Sequence, residues 1–335
     1  MATLKDVAEK SGVTATTVSR VINNKGYISE ETRKKVWAVM KEMNYQPNEL
    51  ARAFSKQYTN TIGVIVPHIS HPFFAKLIND LEAAAAKKKY KILLCNSNEQ
   101  SKKEEEYLDM CVSNRVAGII LCSKYVKAEK FHALHIPIIN IEREDNMAAT
   151  TIQADNYRGG RMAAEHLIEC GCKNLLHFGG VIGKDMPADQ RAYGFTEVCN
   201  QAEIKSKVLQ SDELVYGSMN YHAYIQKSLK ENPEVDGIFA SSDLIAAQVI
   251  QICTAMGIRI PEQIKLVGFD DVMIATLTTP TITTIHLPIK EMSEMSIEYI
   301  DKSLKGEMVP SIISMPVSLI ERESTKKIKR HGQFF

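Results

Sequence analysis

The chain has 335 residues, more than one ordinary domain holds, so two or three domains around a large core are expected. Its 41 Lys/Arg against 40 Asp/Glu give a formal charge of +1, but residues 1–60 carry ten basic against six acidic side chains, a net of +4, and the remainder 31 against 34, a net of −3. No apolar run approaches a membrane span and the N-terminus lacks a signal peptide's apolar core, which argues against a membrane or exported protein and for the cytoplasm.

From Thr3 the chain reads as two short helices pivoting on one glycine. Leu4, Val7 and Ala8 fall on one face of the first at i, i+3, i+4. Gly12 then tolerates the left-handed backbone of a tight turn, and Val13 plugs it. Thr14 can cap a second helix, Ala15 to Asn23, whose Val18, Val21 and Ile22 face the first stripe. Its outward positions Ala15, Thr16, Ser19, Arg20 and Asn23 are small or hydrogen-bonding, as a helix entering a major groove requires. This is helix-turn-helix spacing, although an ordinary αα-hairpin has the same pattern. Ser29 with Glu30 and Glu31 marks a third helix start, and Val36, Val39, Met40 and Met43 form its apolar face. Pro47 ends it. Asn48 to Lys56 is one or two helical turns, too short to stand alone in water; it reads equally as a solvated linker helix or as a piece that orders on binding. The basic residues of this head, on a mildly acidic body, suit a protein whose head alone meets phosphates.

From Thr61 onward, short apolar strands alternate with amphipathic helices. Strands are expected at Ile62–Val66, Lys91–Cys95, Gly118–Leu121, Pro137–Ile141, Asn174–Phe178, Lys207–Gln210, Gly237–Ala240 and Lys265–Gly268. Helices are expected at Phe74–Lys88, Lys102–Asn114, Gly159–Cys170 and Leu244–Met256. Near-continuous apolar strands between helices predict a parallel sheet covered on both faces, as one large sheet or two smaller ones. Asp155 to Gly160 is the expected joint between halves. The seven cysteines lie singly or as Cys170-Gly171-Cys172, poor zinc spacing, and read as reduced thiols with no metal; Gly171 is a helix terminator.

Enzyme motifs fail. Phe178-Gly179-Gly180-Val181-Ile182-Gly183-Lys184-Asp185 follows a strand but lacks G-x-G-x-x-G spacing, and Asp185 replaces the Ser/Thr of a P-loop. No G-x-S-x-G elbow or H-E-x-x-H appears, so no catalytic residue or cofactor is expected. If the strands form two smaller sheets, a cleft between them would instead take a small ligand. Strand-end loops supply its candidates: Phe73 and Phe74 as a platform for a sugar ring, and Arg143, Arg191, Ser242 and Asp270 as polar groups. Arginine and aspartate each hold two neighbouring hydroxyls in fixed geometry. Asp243, beside them, reads as a helix cap.

Thr3-Leu4-Lys5-Asp6-Val7-Ala8, Gly12-Val13, Thr17 to Asn23, Tyr45-Gln46-Pro47-Asn48, Ala51-Arg52, Ile62-Gly63-Val64 and Glu321-Arg322-Glu323-Ser324-Thr325 together resemble the LacI/GalR family of bacterial transcription regulators, over essentially the whole chain. Asn24-Lys25-Gly26-Tyr27 and Cys95-Asn96-Ser97-Asn98 are most similar to its sucrose-operon repressor branch. The resemblance implies an all-α head over 1–46, a hinge helix and linker over 47–60, and a body over 61–335 of two Rossmann-like lobes, as in sugar-binding periplasmic proteins, with the chain crossing between lobes more than once. It implies a homodimer on a palindromic operator, released by a small carbohydrate effector. Ala15, Thr16 and Arg20 would then select the half-site, with Thr3, Ser19 and Asn23 on phosphates. Asn48 and Phe54 would serve the hinge in the minor groove, Phe54 as a wedge where relatives place leucine. Arg191 and Asp270 match the family's effector contacts, whereas Ser242 stands where many relatives carry asparagine. A global catabolite regulator controlled by a phosphorylated carrier protein is the alternative. The segment Lys326–Phe335 shows no heptad, so a dimer is expected and not a tetramer.

Overall fold

Among the described residues the N-terminal unit contains three helices: α1 (Leu4–Ser11), α2 (Ala15–Asn23) and α3 (Glu30–Glu42). A computed structural model describes residues 2–45, 58–122, 136–143, 150–181 and 186–326, and its chain divides into Met1–Thr59 and Asn60–Phe335. The expected hinge residues Asn48 and Phe54 lie outside the described residues. Each head helix starts on a hydroxyl cap: Thr3, Thr14 and Ser29 accept from the backbone N–H groups of Asp6, Thr17 and Thr32. Gly12 has φ +64 and closes α1, as the turn requires. Val7, Ala8, Val18, Val21, Val36, Val39 and Met40 are the buried core of this unit, with Val13 packed against it.

The second unit holds two six-stranded sheets, each at the centre of one lobe. The first contains β1 (Thr61–Val66), β2 (Lys91–Asn96), β3 (Gly118–Leu121), β4 (Ile138–Ile141) and β5 (Thr150–Ala154), flanked by α4 (Pro72–Lys87) and α5 (Ser101–Ser113). Then follow α6 (Asn156–Glu169), β6 (Asn174–Val181), a 3-10 turn (Pro187–Asp189), α7 (Gln190–Gln201), β7 (Lys205–Ser211), α8 (Glu213–Ser218), α9 (His222–Glu231), β8 (Gly237–Ala240), α10 (Asp243–Ala255), β9 (Lys265–Asp270), α11 (Ile274–Leu277) and β10 (Thr283–His286). After β10 come α12 (Ile289–Leu304), β11 (Ile312–Met315) and β12 (Ser318–Ile320).

The strand orders are β11-β5-β4-β3-β1-β2 and β12-β10-β9-β8-β6-β7. Every pairing is parallel except β10 with β12. Among the described residues the chain passes from one sheet to the other three times, after β5, after β10 and between β11 and β12. Ile62, Val64, Ile65 and Val66 are all buried, as are Gly237 to Ala240, the continuous burial that a doubly covered parallel sheet imposes.

Four strands escape the sequence reading: β5, β10, β11 and β12. The first two are rich in threonine, whose hydroxyls break the apolar run; Thr150, Thr151, Thr283 and Thr284 are nonetheless buried. The last two are sheet edges in which no residue is fully buried. Asp155 is the crossing point, but the helix beyond it begins at Asn156 and not at Gly159, because Asp155 accepts from the Arg158 N–H and caps it. All seven cysteines are free thiols. Among the described residues no helix is long and apolar enough to cross a membrane.

A buried histidine ties the second sheet's core to pH. His177 is 1% exposed, stacks on Phe239 with ring centroids 4.4 Å apart, and donates through Nδ1 to the Phe239 carbonyl at 3.0 Å. Burial, aided by the Arg191 cation, drives its pKa down to about 4. The unfolded ring takes up its proton near 6.5, so the stability it lends is intact above that pH and is lost as pH falls towards 4. The loss is about 3 kcal/mol. His177→Phe should flatten this dependence: urea unfolding at pH 7 and pH 4.5 is expected to differ by roughly 2 kcal/mol less than in the native chain. Equal acid sensitivity in the two proteins would refute the assignment.

Candidate ligand cleft and nucleic-acid interface

Both lobes carry the order 2-1-3-4-5 in their first five strands, and ligands of such sheets sit beyond the carboxyl ends of the strands. A cavity of about 370 Å³ lies there. Pro67 after β1, Cys122 after β3 and Glu142 and Arg143 after β4 line it from the first lobe. Gly179 and Gly180 at the end of β6, Ser241 and Ser242 after β8, and Asp270 at the end of β9 line it from the second. All six expected side chains, Phe73, Phe74, Arg143, Arg191, Ser242 and Asp270, border this one space.

Arg191, in the first turn of α7, organises the cleft. It is 6% exposed, and its Nε donates to Asn156 Oδ1 at 2.7 Å while a terminal nitrogen donates to the Ser241 carbonyl. The guanidinium carbon lies 3.6 Å from the centre of the Phe269 ring. Its other terminal nitrogen faces Glu142 Oε2 at 3.9 Å. Glu142, held at φ +49 just past β4, accepts from Asn156 Nδ2 at 2.9 Å and from the Ala154 N–H. The bridge Glu142–Asn156–Arg191 therefore joins the first lobe, the crossing and the second lobe.

Asp270 is 4% exposed, and burial raises its pKa well above the carboxylate range against the pull of Arg191. Arg191 is lowered by the same burial, opposed by Asp270 and Glu142, and stays cationic because a guanidinium does not deprotonate in proteins. Acidic Glu142 and Asp270 both answer the Arg191 cation within the cleft, which suits an uncharged ligand rich in hydroxyls. His71 caps α4, its Nδ1 accepting from the Phe73 N–H at 3.3 Å; burial with the His68 and Arg191 charges holds it at about 4, so it is neutral at pH 7. Phe73 and Phe74 meet edge to face with centroids 5.1 Å apart, an apolar wall beside these polar groups.

Ser242, not Asp243, caps α10: its Oγ accepts from the Ile245 N–H at 3.3 Å. Asp243 points away, fully buried, accepting from Val272 N–H at 2.9 Å and from the Thr284 hydroxyl at 2.6 Å. The reading of Asp243 as the cap was wrong by one residue, because a carboxylate with two tertiary donors has no need of the helix N–H groups. Sequence reasoning passed over Glu142, Asn156 and Phe269. Glu142 adjoins Arg143 on the same strand-end loop, so strand placement alone could have found it; Asn156 and Phe269 carry no such mark.

On the head, Thr16 and Arg20 are exposed along α2. Ala15 is half-buried and packs on the head core, so it is less outward than its position suggested. Asn23 donates to the Ser19 carbonyl at 2.9 Å and to its hydroxyl at 3.3 Å, which holds the two side chains together on the helix. Thr3 is exposed with its hydroxyl engaged as a cap.

Comparison with known proteins matches residues 3–48 to the model of bacterial regulatory proteins of the lacI family and residues 164–325 to that of a periplasmic binding protein-like domain. The chain is 37% identical to the sucrose operon repressor of Streptococcus mutans, over 97% of this chain and 99% of that one. It is 34% identical to the ribose operon repressor of Halalkalibacterium halodurans, over 97% and 98%. Among solved structures, a periplasmic binding protein/LacI transcriptional regulator from Alkaliphilus metalliredigens, complexed with D-xylulofuranose, superposes with TM-score 0.71 at 33% identity over 80% of this chain and all of that one. The lac repressor dimer bound to operator superposes with TM-score 0.83 at 23% identity over 97% and 99%, a likeness of fold.

Proposed function

The chain belongs to the lacI family of bacterial regulatory proteins, and from that membership we propose that it is a cytoplasmic DNA-binding repressor of a carbohydrate operon, working as a homodimer that a small sugar releases from its operator. The observation that carries the sugar is the bridge of Glu142, Asn156 and Arg191 over a cleft that also holds buried Asp270 and the Phe73–Phe74 wall. A polyol can engage the arginine and the carboxylates at once without bringing in charge, and its ring can rest on a phenylalanine. We assign Phe73, Phe74, Arg143, Arg191, Ser242 and Asp270 to the effector, and expect sucrose or one of its hexose units. Effector binding shifts the lobes between two settings, and the segment 47–60 transmits that choice to the head.

Calorimetric titration with a panel of mono- and disaccharides tests the reading, followed by operator binding with and without the sugar that binds. One sugar is expected to bind and to weaken operator affinity. An operator affinity that ignores every sugar and answers only to a phosphorylated carrier protein would replace this effector.

On the head we assign operator selection to Ala15, Thr16 and Arg20, with Thr3, Ser19 and Asn23 on phosphates. Exchanging Ala15 and Thr16 for another regulator's pair should change the preferred half-site, at roughly 1–3 kcal/mol per lost base contact, and leave non-specific affinity similar. Selection from a random DNA library reads this, and an unchanged consensus would remove the assignment.

A further inference from the structure

At the crossing between the lobes lies a second cavity of about 260 Å³. Gln153, Ala154 and Ser314 border it from the first lobe, and Tyr157, Pro187 and Gln190 from the second, with Asp155 and Asn156 at the crossing itself. Gln153 and Ser314 are register partners on β5 and β11, so they share one face of the sheet. We infer that this hinge cavity is a second ligand site, taking a small uncharged polyol.

The chemistry of the lining names the class. Gln153, Gln190 and Ser314 offer amide and hydroxyl groups that have no side-chain hydrogen-bond partner among the described residues, enough to serve a chain of hydroxyls. Asp155 is the one acidic side chain among the described residues of the lining and none of them is basic, so an anion finds no cation there to answer it. Tyr157, 38% exposed, and Pro187 give the carbon face of a polyol an apolar rest. The volume is below that of the cleft and suits a molecule of pentitol size.

The site is also wired to the cleft. Asn156 lines the hinge cavity and, with both its amide atoms, holds Arg191 at 2.7 Å and Glu142 at 2.9 Å. Pro187 borders both cavities. A polyol that spans Gln153 and Ser314 on one lobe and Gln190 on the other stabilises one lobe setting over another and acts on the Arg191 bridge through Asn156. The second site stands on its own cavity; only this coupling rests on the effector reading above.

Ribitol is the probe, titrated into the full chain by calorimetry. Binding in the millimolar range is expected for the native chain, weakened at least about tenfold in Ser314→Trp, which fills the cavity from an exposed edge-strand position, and in Gln153→Leu, which removes an amide. Asp270→Asn, which lines only the cleft, should leave ribitol binding unchanged. The Arg191 Nε–H resonance is expected to move as ribitol saturates. Absence of binding in the native chain overturns the site, as does binding that survives both hinge variants or disappears in Asp270→Asn. An Arg191 resonance that does not move overturns the coupling. Failure of the effector reading would appear separately, as a cleft that takes no sugar in Ser314→Trp.

Discussion

Arg191→Ala is expected to leave a repressor that holds its operator and no longer hears its sugar. The side chain is 6% exposed, and its departure removes the cation that faces half-buried Glu142 at 3.9 Å and that opposes the upward push of burial on the Asp270 pKa. A sugar that loses its charge-assisted hydrogen bonds to the guanidinium forfeits about 1.5–3 kcal/mol for each, a loss in affinity of roughly 10- to 10²-fold per bond. The head keeps its own core of Val7, Val18, Val21, Val36 and Met40, so operator binding persists. Arg191→Lys should recover only part of the affinity, since an ammonium cannot donate to Asn156 and Ser241 in the planar fork that the guanidinium uses. Gel-shift titration with and without the sugar found for the native chain decides the matter. Release of operator by Arg191→Ala at the native sugar concentration would take Arg191 out of the effector site.

How far the sequence carried depended on what each residue answers to. The head was legible because every signal in it is local: hydroxyl caps at Thr3, Thr14 and Ser29, a left-handed glycine at position 12, and apolar spacing at i, i+3, i+4. The central strands were legible because burial on both faces forces runs such as Gly237-Ile238-Phe239-Ala240. Where tertiary partners decide, the pattern fell silent. Thr283 and Thr284 sit in a strand although they read as polar, because Ser324 and Thr325 bond the first and Asp243 the second. The six cleft side chains were found from strand ends and from family resemblance. That their polar centre is a bridge through Asn156 follows from a crossing whose geometry no local pattern encodes.

The glycines inside α6 and α7 show the same division, and they carry the second large effect. Glycine in a helix interior costs about 1 kcal/mol against alanine, so Gly160 and Gly194 need a reason in packing. A Cβ on Gly160 would overlap the carbonyl oxygen of Arg191, and a Cβ on Gly194 would overlap that of Tyr157. Both obstacles are backbone, which cannot swing aside as a side chain does. The two helices therefore lie as close as they do because each offers the other a bare Cα. That distance sets where α7 presents Arg191, 2.7 Å from Asn156 on α6. Gly159 adds to it by leaving room for the Phe269 ring, on which the guanidinium rests. Gly160→Ala and Gly194→Ala are each expected to destabilise the chain by about 3 kcal/mol, the upper range for overpacking, and to weaken sugar binding with it. Gly217 in α8 is the control. A Cβ there meets nothing within 4 Å and its φ is not positive, so Gly217→Ala should be neutral or stabilise by up to about 1 kcal/mol. Urea unfolding of the three variants separates the cases. If all three shifted alike, helix propensity would be the whole story and the close approach of α6 and α7 would have no part in placing Arg191.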